Sequence, residues 1–254
     1  MGTPKEIRIF LNGARGRMGR AVSEAAAASG CVISGRADAG DDPAPLLADC
    51  DAVVDFSSHT ATLSLVQAAA AAGKPLVIGT TGHQPGEKSA IAREAAKVPT
   101  VWAGNFSVGV NLLFYLTEAA ARALDESYDA EVIEMHHRLK KDAPSGTAER
   151  LLEILLETRQ RTRADVRHGR EGITGERPPG EIGMHALRGG GVIGDHTVMF
   201  AGSGERLELT HRAGTRAVFA EGALRAARWA VDQPPGLYDM QHVLGLRHSR
   251  PVSA

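Results

Sequence analysis

Over the first hundred residues, short apolar runs alternate with alanine-rich stretches of helical period, and glycines sit at the junctions. That alternation leaves few folds open. Parallel strands need long crossovers, and helical crossovers must lie on the faces of the sheet they connect. Residues 7–11 form an apolar run that stops at Gly13, the pattern of a strand buried on both faces. Residues 18–28 read as a helix closed by Gly30. Strands are expected at 32–38 and 52–56, then a helix at 61–72 ending at Gly73 and a strand at 75–78. A further helix at 89–97 precedes a strand at 100–102. This βαβαβ rhythm predicts an α/β fold with a Rossmann-like, doubly wound parallel sheet.

The rhythm changes after Asn105. A longer helix is expected at 110–124, a strand at 130–135, a helix at 149–157 and a polar, glycine-rich stretch at 165–194. Residues 196–200 and 206–210 alternate as antiparallel strands do, and 217–231 read as a final helix. The second part is therefore an α+β domain with an open mixed sheet. Packing against copies of itself would cover the edges of such a sheet.

Charge narrows the partners. Lys and Arg number 29 and Asp and Glu 30, for a formal net charge of −1. That balance argues against nucleic acid or a membrane surface as main partner, so an anionic ligand needs a local basic pocket. Cys31 and Cys50 lack metal-ligand spacing and read as reduced thiols of a cytosolic protein. The chain runs almost directly into its first strand without a basic-then-apolar leader, and no apolar run would span a bilayer. A cytoplasmic location is expected.

Gly13-Ala14-Arg15-Gly16-Arg17-Met18-Gly19 lies between the first strand and the first helix. Its glycines permit a tight turn, close backbone approach to a pyrophosphate and close helix–strand packing, and the helix start adds amide donors. The spacing departs from strict GxGxxG, because Arg15 stands at the second glycine position. Asp38 follows about twenty residues on, where a carboxylate can accept from ribose hydroxyls. A carboxylate there repels a 2′-phosphate and favours NADH over NADPH, which Arg15, Arg17 and Arg36 would offset. The loops Gly79-Thr80-Thr81-Gly82 and Ala103-Gly104-Asn105-Phe106-Ser107 follow two further strands, at the end where open α/β sheets bind ligands.

The densest chemistry lies at 134–148, Glu-Met-His-His-Arg-Leu-Lys-Lys-Asp-Ala-Pro-Ser-Gly-Thr-Ala. Histidine titrates near neutrality and can shuttle a proton. Strand alternation sends His136 and His137 to opposite faces. Adjacent histidines do not readily ligate one ion, and no HExxH or cysteine cluster is present, so no metal is expected. Arg138, Lys140 and Lys141 supply cations. Pro144 suits the first turn of a helix, and Ser145-Gly146-Thr147 would open that helix as a carboxylate site.

These stretches, together with Val54-Asp55-Phe56-Ser57, Gly169-Arg170-Glu171-Gly172, Arg188-Gly189-Gly190 and Gly194-Asp195-His196, resemble the 4-hydroxy-tetrahydrodipicolinate (dihydrodipicolinate) reductases over nearly the whole chain. The resemblance implies an NAD(P)H-dependent oxidoreductase of diaminopimelate and lysine biosynthesis, a cytoplasmic homotetramer acting on a small dicarboxylate. It implies a Rossmann domain at 1–107 and 217–254 and a substrate-binding and tetramerisation domain at 108–216. It implies catalytic roles for His136 and Lys140 and substrate contacts at His137, Arg138, Ser145, Gly146 and Thr147. Cofactor contacts are implied at Gly13 to Met18, Asp38, Gly79, Thr80, Thr81, Ala103, Gly104, Asn105 and Phe106. Some members carry an arginine after the position of Asp38; Ala39 stands here, which points away from NADPH. The rival readings are a different Rossmann oxidoreductase of amino-acid metabolism and a catalytically silent nucleotide-binding regulator.

Overall fold

The computed structural model describes residues 6–247, which divide into two compact units. One contains the described residues up to Val108 and from Arg216 onward; the other is Gly109–Thr215.

In the first unit the order is β1 (Ile7–Asn12), α1 (Arg17–Ala25), β2 (Cys31–Ala37), β3 (Ala52–Asp55), α2 (His59–Ala71), β4 (Leu76–Ile78), α3 (Pro85–Ala95) and β5 (Pro99–Trp102). After α4 (Val108–Ala123), the second unit carries β6 (Asp129–His136), α5 (Gly146–Thr158), β7 (Val166–His168), β8 (Ile182–Arg188), β9 (Asp195–Ala201) and β10 (Arg206–Arg212). The chain then returns to the first unit as α6 (Ala217–Ala230), β11 (Gly236–Tyr238) and α7 (Met240–Val243).

The first sheet has six parallel strands in the order β11-β5-β4-β3-β1-β2. Its central strands β3 and β4, most of β5 and the end of β1 are buried on both faces, which is why they read as apolar runs, while the edge strand β2 is partly exposed. Ile9, Leu11, Val54 and Val77 join α6 residues such as Ala223 and Ala227 in one cluster. Phe10, Val53, Leu76 and Ile78 join Leu65 of α2 and Ile91 of α3 in another. Strand order reverses between β1 and β3, the place where open sheets of this kind bind ligands. Gly222 lets α6 lie against the chain at Phe106, since a Cβ there would stand 1.8 Å from the Phe106 carbonyl oxygen.

The second sheet has the order β10-β9-β6-β8-β7; β6 pairs with β8 in parallel and with β9 antiparallel. One face is covered. Leu151, Leu152 and Leu155 of α5 are fully buried against Ala130, Val132, Val198 and Phe200. Each such leucine contributes about 1.5–3 kcal/mol. On the opposite face Ile133, Met135 and Met199 remain half-buried, and Leu187 is exposed.

Three expectations need correction. The stretch 165–194 is not irregular throughout but contains β7 and β8. β8 lacks strand alternation because Gly183 makes room for Glu131, whose Oε2 would stand 1.6 Å from a Cβ there. Glu131 then takes Arg170, Arg177 and His185, which pins the loop before β8. The short β11 also lies outside the expected elements. Pro144 is not in the first turn of α5, because Ser145 is its N-cap and the helix starts at Gly146.

Candidate active site

The glycine turn after β1 is shaped by close packing. Gly13 has φ +79°, and a Cβ on it would lie 2.5 Å from the Phe56 carbonyl oxygen. A Cβ on Gly19 would stand 2.2 Å from the Gly13 oxygen. Gly16 caps α1 without a side chain, so the first-turn amides depend on water or a ligand. Beside them lies a cavity of about 440 Å³ bordered by Asn12, Gly13, Gly16, Asp38, Phe56 and Ser57. Asp38 follows β2 directly. Its Oδ1 accepts from the Arg15 amide at 3.0 Å, and Arg15 Nε lies 3.5 Å from Oδ2.

Beneath this cleft sits a residue whose structural role the sequence did not show. Asp55, at the end of β3, is fully buried and has no ion-pairing cation among the described residues. Its Oδ1 accepts from Asn12 Nδ2 at 2.9 Å, Ser57 Oγ at 2.6 Å and the Ser57 amide at 3.2 Å. Its Oδ2 accepts from Thr62 Oγ1 at 3.0 Å and Thr80 Oγ1 at 2.9 Å. One carboxylate thus ties the ends of β1, β3 and β4 together. The Thr80 hydroxyl is turned inward onto it.

Thr80, Thr81, Ala103 and Gly104 border a second cavity of about 640 Å³. Of the other expected cofactor residues, Ala14 is buried and Met18 packs on the core. Arg15 and Arg17 are exposed. Gly79 faces the Phe56 ring at 2.1 Å from a would-be Cβ. The Asn105 side chain accepts from the Ser107 amide, and Phe106 is a core residue stacked edge-on against Phe56.

In the second unit the candidate chemistry gathers at one end of three strands, and register explains why. Glu134 is directly opposite His196 across the β6–β9 ladder, and His136 lies beside Arg188 across the β6–β8 ladder. Alternation puts Glu134 and His136 on the same, buried face. Glu134 Oε2 is hydrogen-bonded to His136 Nδ1. Arg188 Nη2 lies 2.9 Å from Glu134 Oε1, too far out of line for a hydrogen bond, so this contact is an ion pair. The His136 and His196 rings meet edge-on at 5.1 Å. Gly194 leaves His136 Nε2 uncovered, since a Cβ there would be 3.0 Å away.

Burial pushes the His136 imidazole below its usual range, and Glu134 partly offsets this. His196 has no such partner. Burial, aided by His136, His211 and Lys140, lowers it to about 3, so it stays neutral. Its Nε2 is hydrogen-bonded at 3.1 Å to Ser145 Oγ, which also accepts from the Ala148 amide. The Ser145 hydroxyl is therefore buried as a helix cap rather than turned outward. Gly146 is exposed at the helix start, with Thr147 next to it.

Lys140 Nζ donates to both Asp142 oxygens at 2.8 and 2.9 Å, which holds the Asp142 carboxyl below its ordinary range. Arg138 is exposed; its amide donates to the Gly190 carbonyl. His137 is half-buried, and its Nδ1 has no partner among the described residues. Glu134, His136 and His196 offer ligand atoms within 4.8 Å of one another, a spacing a metal can use. Arg188 and Lys140 already bring positive charge to that cluster.

The sequence singles out His136 and Lys140, and the structure brings Glu134, Arg188 and His196 beside them. Glu134 was within reach, since period two places it on the face of His136. Comparison with known proteins agrees with both halves. Residues 7–106 match the family described as dihydrodipicolinate reductase, N-terminus, and residues 109–244 match dihydrodipicolinate reductase, C-terminus. The chain belongs to the dihydrodipicolinate reductase family. It is 55% identical over 243 residues to 4-hydroxy-tetrahydrodipicolinate reductase of Akkermansia muciniphila, covering 94% of this chain and 98% of that one. It is 48% identical over 266 residues to the protein of that name from Anaeromyxobacter dehalogenans, with coverage of 94% and 98%. Its fold is that of a dipicolinate-bound dihydrodipicolinate reductase from Paenisporosarcina sp. TG-14, at TM-score 0.76 and 22% identity over 92% of this chain and 97% of that one.

Proposed function

We propose that this reductase converts (2S,4S)-4-hydroxy-2,3,4,5-tetrahydrodipicolinate into 2,3,4,5-tetrahydrodipicolinate, with loss of water, in diaminopimelate and lysine biosynthesis. The observation that carries the reading is His136. Its Nδ1 is held by a buried carboxylate while its Nε2 is uncovered beside Gly194, in a chain matched by the family from end to end of the described fold. A bound nicotinamide would supply the hydride to ring C4 of the dehydrated, conjugated imine. His136 Nε2 and Lys140 Nζ are the proton-handling atoms, one of which protonates the ring as charge develops on it. His137, Arg138 and the α5 start at Gly146 and Thr147 hold the two carboxylates, which fixes the ring for transfer.

Gly13 to Met18 with Asp38 take the dinucleotide, and the loops at Thr80, Thr81, Ala103, Gly104 and Asn105 take its nicotinamide half. Asp38 supports a preference for NADH, because its carboxylate meets a 2′-phosphate with like charge. The Glu134–His136–His196 cluster is read as acid–base machinery without a metal, with Arg188 facing Glu134 from β8. The uncovered face of the second sheet supports a homotetramer. Among the described residues no helix is long and apolar enough to cross a membrane, which accords with a cytoplasmic enzyme.

The test follows oxidation of NADH and NADPH with substrate generated by a coupled synthase from pyruvate and aspartate semialdehyde. Rapid, substrate-dependent oxidation is expected, with H136A slowed about 10²–10⁴-fold at little change in NADH affinity. No oxidation by protein that binds NADH would refute the assignment.

A further inference from the structure

We propose that Arg188 and Glu134 are positioning residues that couple the two proton-handling groups, Arg188 reaching His136 through Glu134 and Lys140 through Asp142. The inference rests on the reading of His136 and Lys140 given above. Its basis is one nitrogen with two contacts. Arg188 Nη2 lies 2.9 Å from Glu134 Oε1, and it also donates to the Asp142 carbonyl at 2.7 Å. Glu134 Oε2 holds His136, and the Asp142 carboxylate holds Lys140. The backbone reinforces the arrangement, since the Gly189 amide, next to Arg188, donates to the His136 carbonyl at 2.9 Å.

The chemistry needs such a device. Glu134 is completely buried, and a buried carboxylate needs donors and cations facing it. His136 bonds to it and Arg188 faces it from the neighbouring strand, and the carboxylate then fixes the His136 proton on Nδ1, leaving Nε2 to exchange protons. The same guanidinium restrains the segment that carries the Lys140 counter-ion. Lysine could not replace it fully, because the other guanidinium nitrogen, Nη1, is anchored on the Leu187 carbonyl while Nη2 makes both contacts, and an ammonium has no second nitrogen to do this. The charged and titratable groups facing His136 are Glu134 on its own strand, His196 from β9, Arg188 from β8 and Lys140 from the following loop. Of these, Glu134 favours the imidazolium, while Arg188 and Lys140 oppose it.

That opposition gives a signed test. The full-length protein is labelled with ¹⁵N-histidine, and the His136 ring signals are identified by their loss in H136Q. In the parent the neutral ring is expected as the Nδ1–H tautomer. In E134Q the His136 titration should move to lower pH and the tautomer preference should weaken; in R188M the titration should move to higher pH. R188K should return it toward the parent. In E134Q and R188M kcat should fall about tenfold or more, its pH profile following the His136 shift, while NADH affinity stays near the parent value. A His136 titration that ignores both substitutions, or moves the same way in both, overturns the proposal. If R188M does not fold, E134Q and R188K still decide it. Normal turnover in H136A together with the signed shifts would instead refute the catalytic reading of His136 and leave the coupling intact.

Discussion

Replacing Asp55 by alanine separates the scaffold of the nucleotide cleft from its contacts with ligand. The carboxylate accepts five hydrogen bonds. In D55A the Thr62 hydroxyl can still donate to the Ser58 carbonyl at 3.2 Å. Asn12 Nδ2 and Thr80 Oγ1, both on buried side chains, lose the only acceptor found for them here, and the Ser57 amide is half-buried. A buried donor left unsatisfied costs about 1–3 kcal/mol, and water entering the vacated space reduces the sum. A loss of about 3 kcal/mol is therefore expected for the first unit. D55N should cost about 1 kcal/mol, because an amide oxygen can keep the Oδ1 bonds while the threonine hydroxyls rotate to accept. Both tryptophans, Trp102 and Trp229, belong to the first unit, so urea unfolding followed by their fluorescence reports that unit directly. Because Asp55 joins the strand ends that bear Gly13 and Gly79, the NADH dissociation constant should also rise, by about tenfold for ~1.4 kcal/mol of lost preorganisation. A D55A protein less than about 1 kcal/mol below the parent, with unchanged NADH affinity, would refute the argument.

Asp38→Ala should weaken NADH by about tenfold, the loss of one charge-assisted hydrogen-bonding group, and NADPH by less; equal losses in calorimetric titrations would remove Asp38 from the ribose site. Gly19→Ala should destabilise the first unit and abolish dinucleotide binding, because the new methyl would meet backbone at 2.2 Å, and a stable, NADH-binding G19A would contradict the packing described. His196 should make the second unit sensitive to acid. Its folded pKa of about 3 lies below the 6.5 of a free imidazole, so below that pH the unfolded chain binds a proton the folded one refuses. Stability from this residue is thus constant above pH 6.5 and falls with acidification, by about 2 kcal/mol on reaching ~pH 5. H196N should flatten that part of a stability–pH curve recorded by circular dichroism, and an unaltered slope would show that His196 is protonated in the fold.

The doubly wound half was readable because burial on both faces writes itself into consecutive residues, as in Ile9, Phe10 and Leu11. β8 was not, although it lies between β6 and β7. Gly183 is required there by the Glu131 side chain, and His185 by the same carboxylate, so neither carries a strand signal. The catalytic candidates divide in the same way. His136 and Lys140 lie in one contiguous stretch whose composition announces them. Arg188 and His196 arrive through ladder register with β6, and no local pattern states which residue of a distant strand will stand beside His136. Asp55 stood within the Val54-Asp55-Phe56-Ser57 stretch, but its role as a hub was not legible, because its partners Asn12, Thr62 and Thr80 come from three separate segments.

One face of β6 carries both the core and the candidate chemistry. Ala130 and Val132 are buried against the apolar side of α5, and the same alternation continues into Glu134 and His136. A slip of one residue in the β6 register would expose the core residues and the dyad together, so selection against misregister protects both. α5 links them a second time. Its leucines cover the apolar half, while its cap, Ser145, is bonded to His196 at the polar end. The burial that keeps His196 neutral thus comes from the packing that holds the sheet together. Of the two adjoining imidazoles, only His136 has a carboxylate to favour its proton, and it is also the one whose Nε2 is uncovered. Loosening α5, for example by truncating Leu155, would therefore let water reach His196 and raise its proton affinity, placing a second cation against His136. The expected result is a fall in kcat at acidic pH that exceeds the loss of folded protein, in a variant that touches neither histidine.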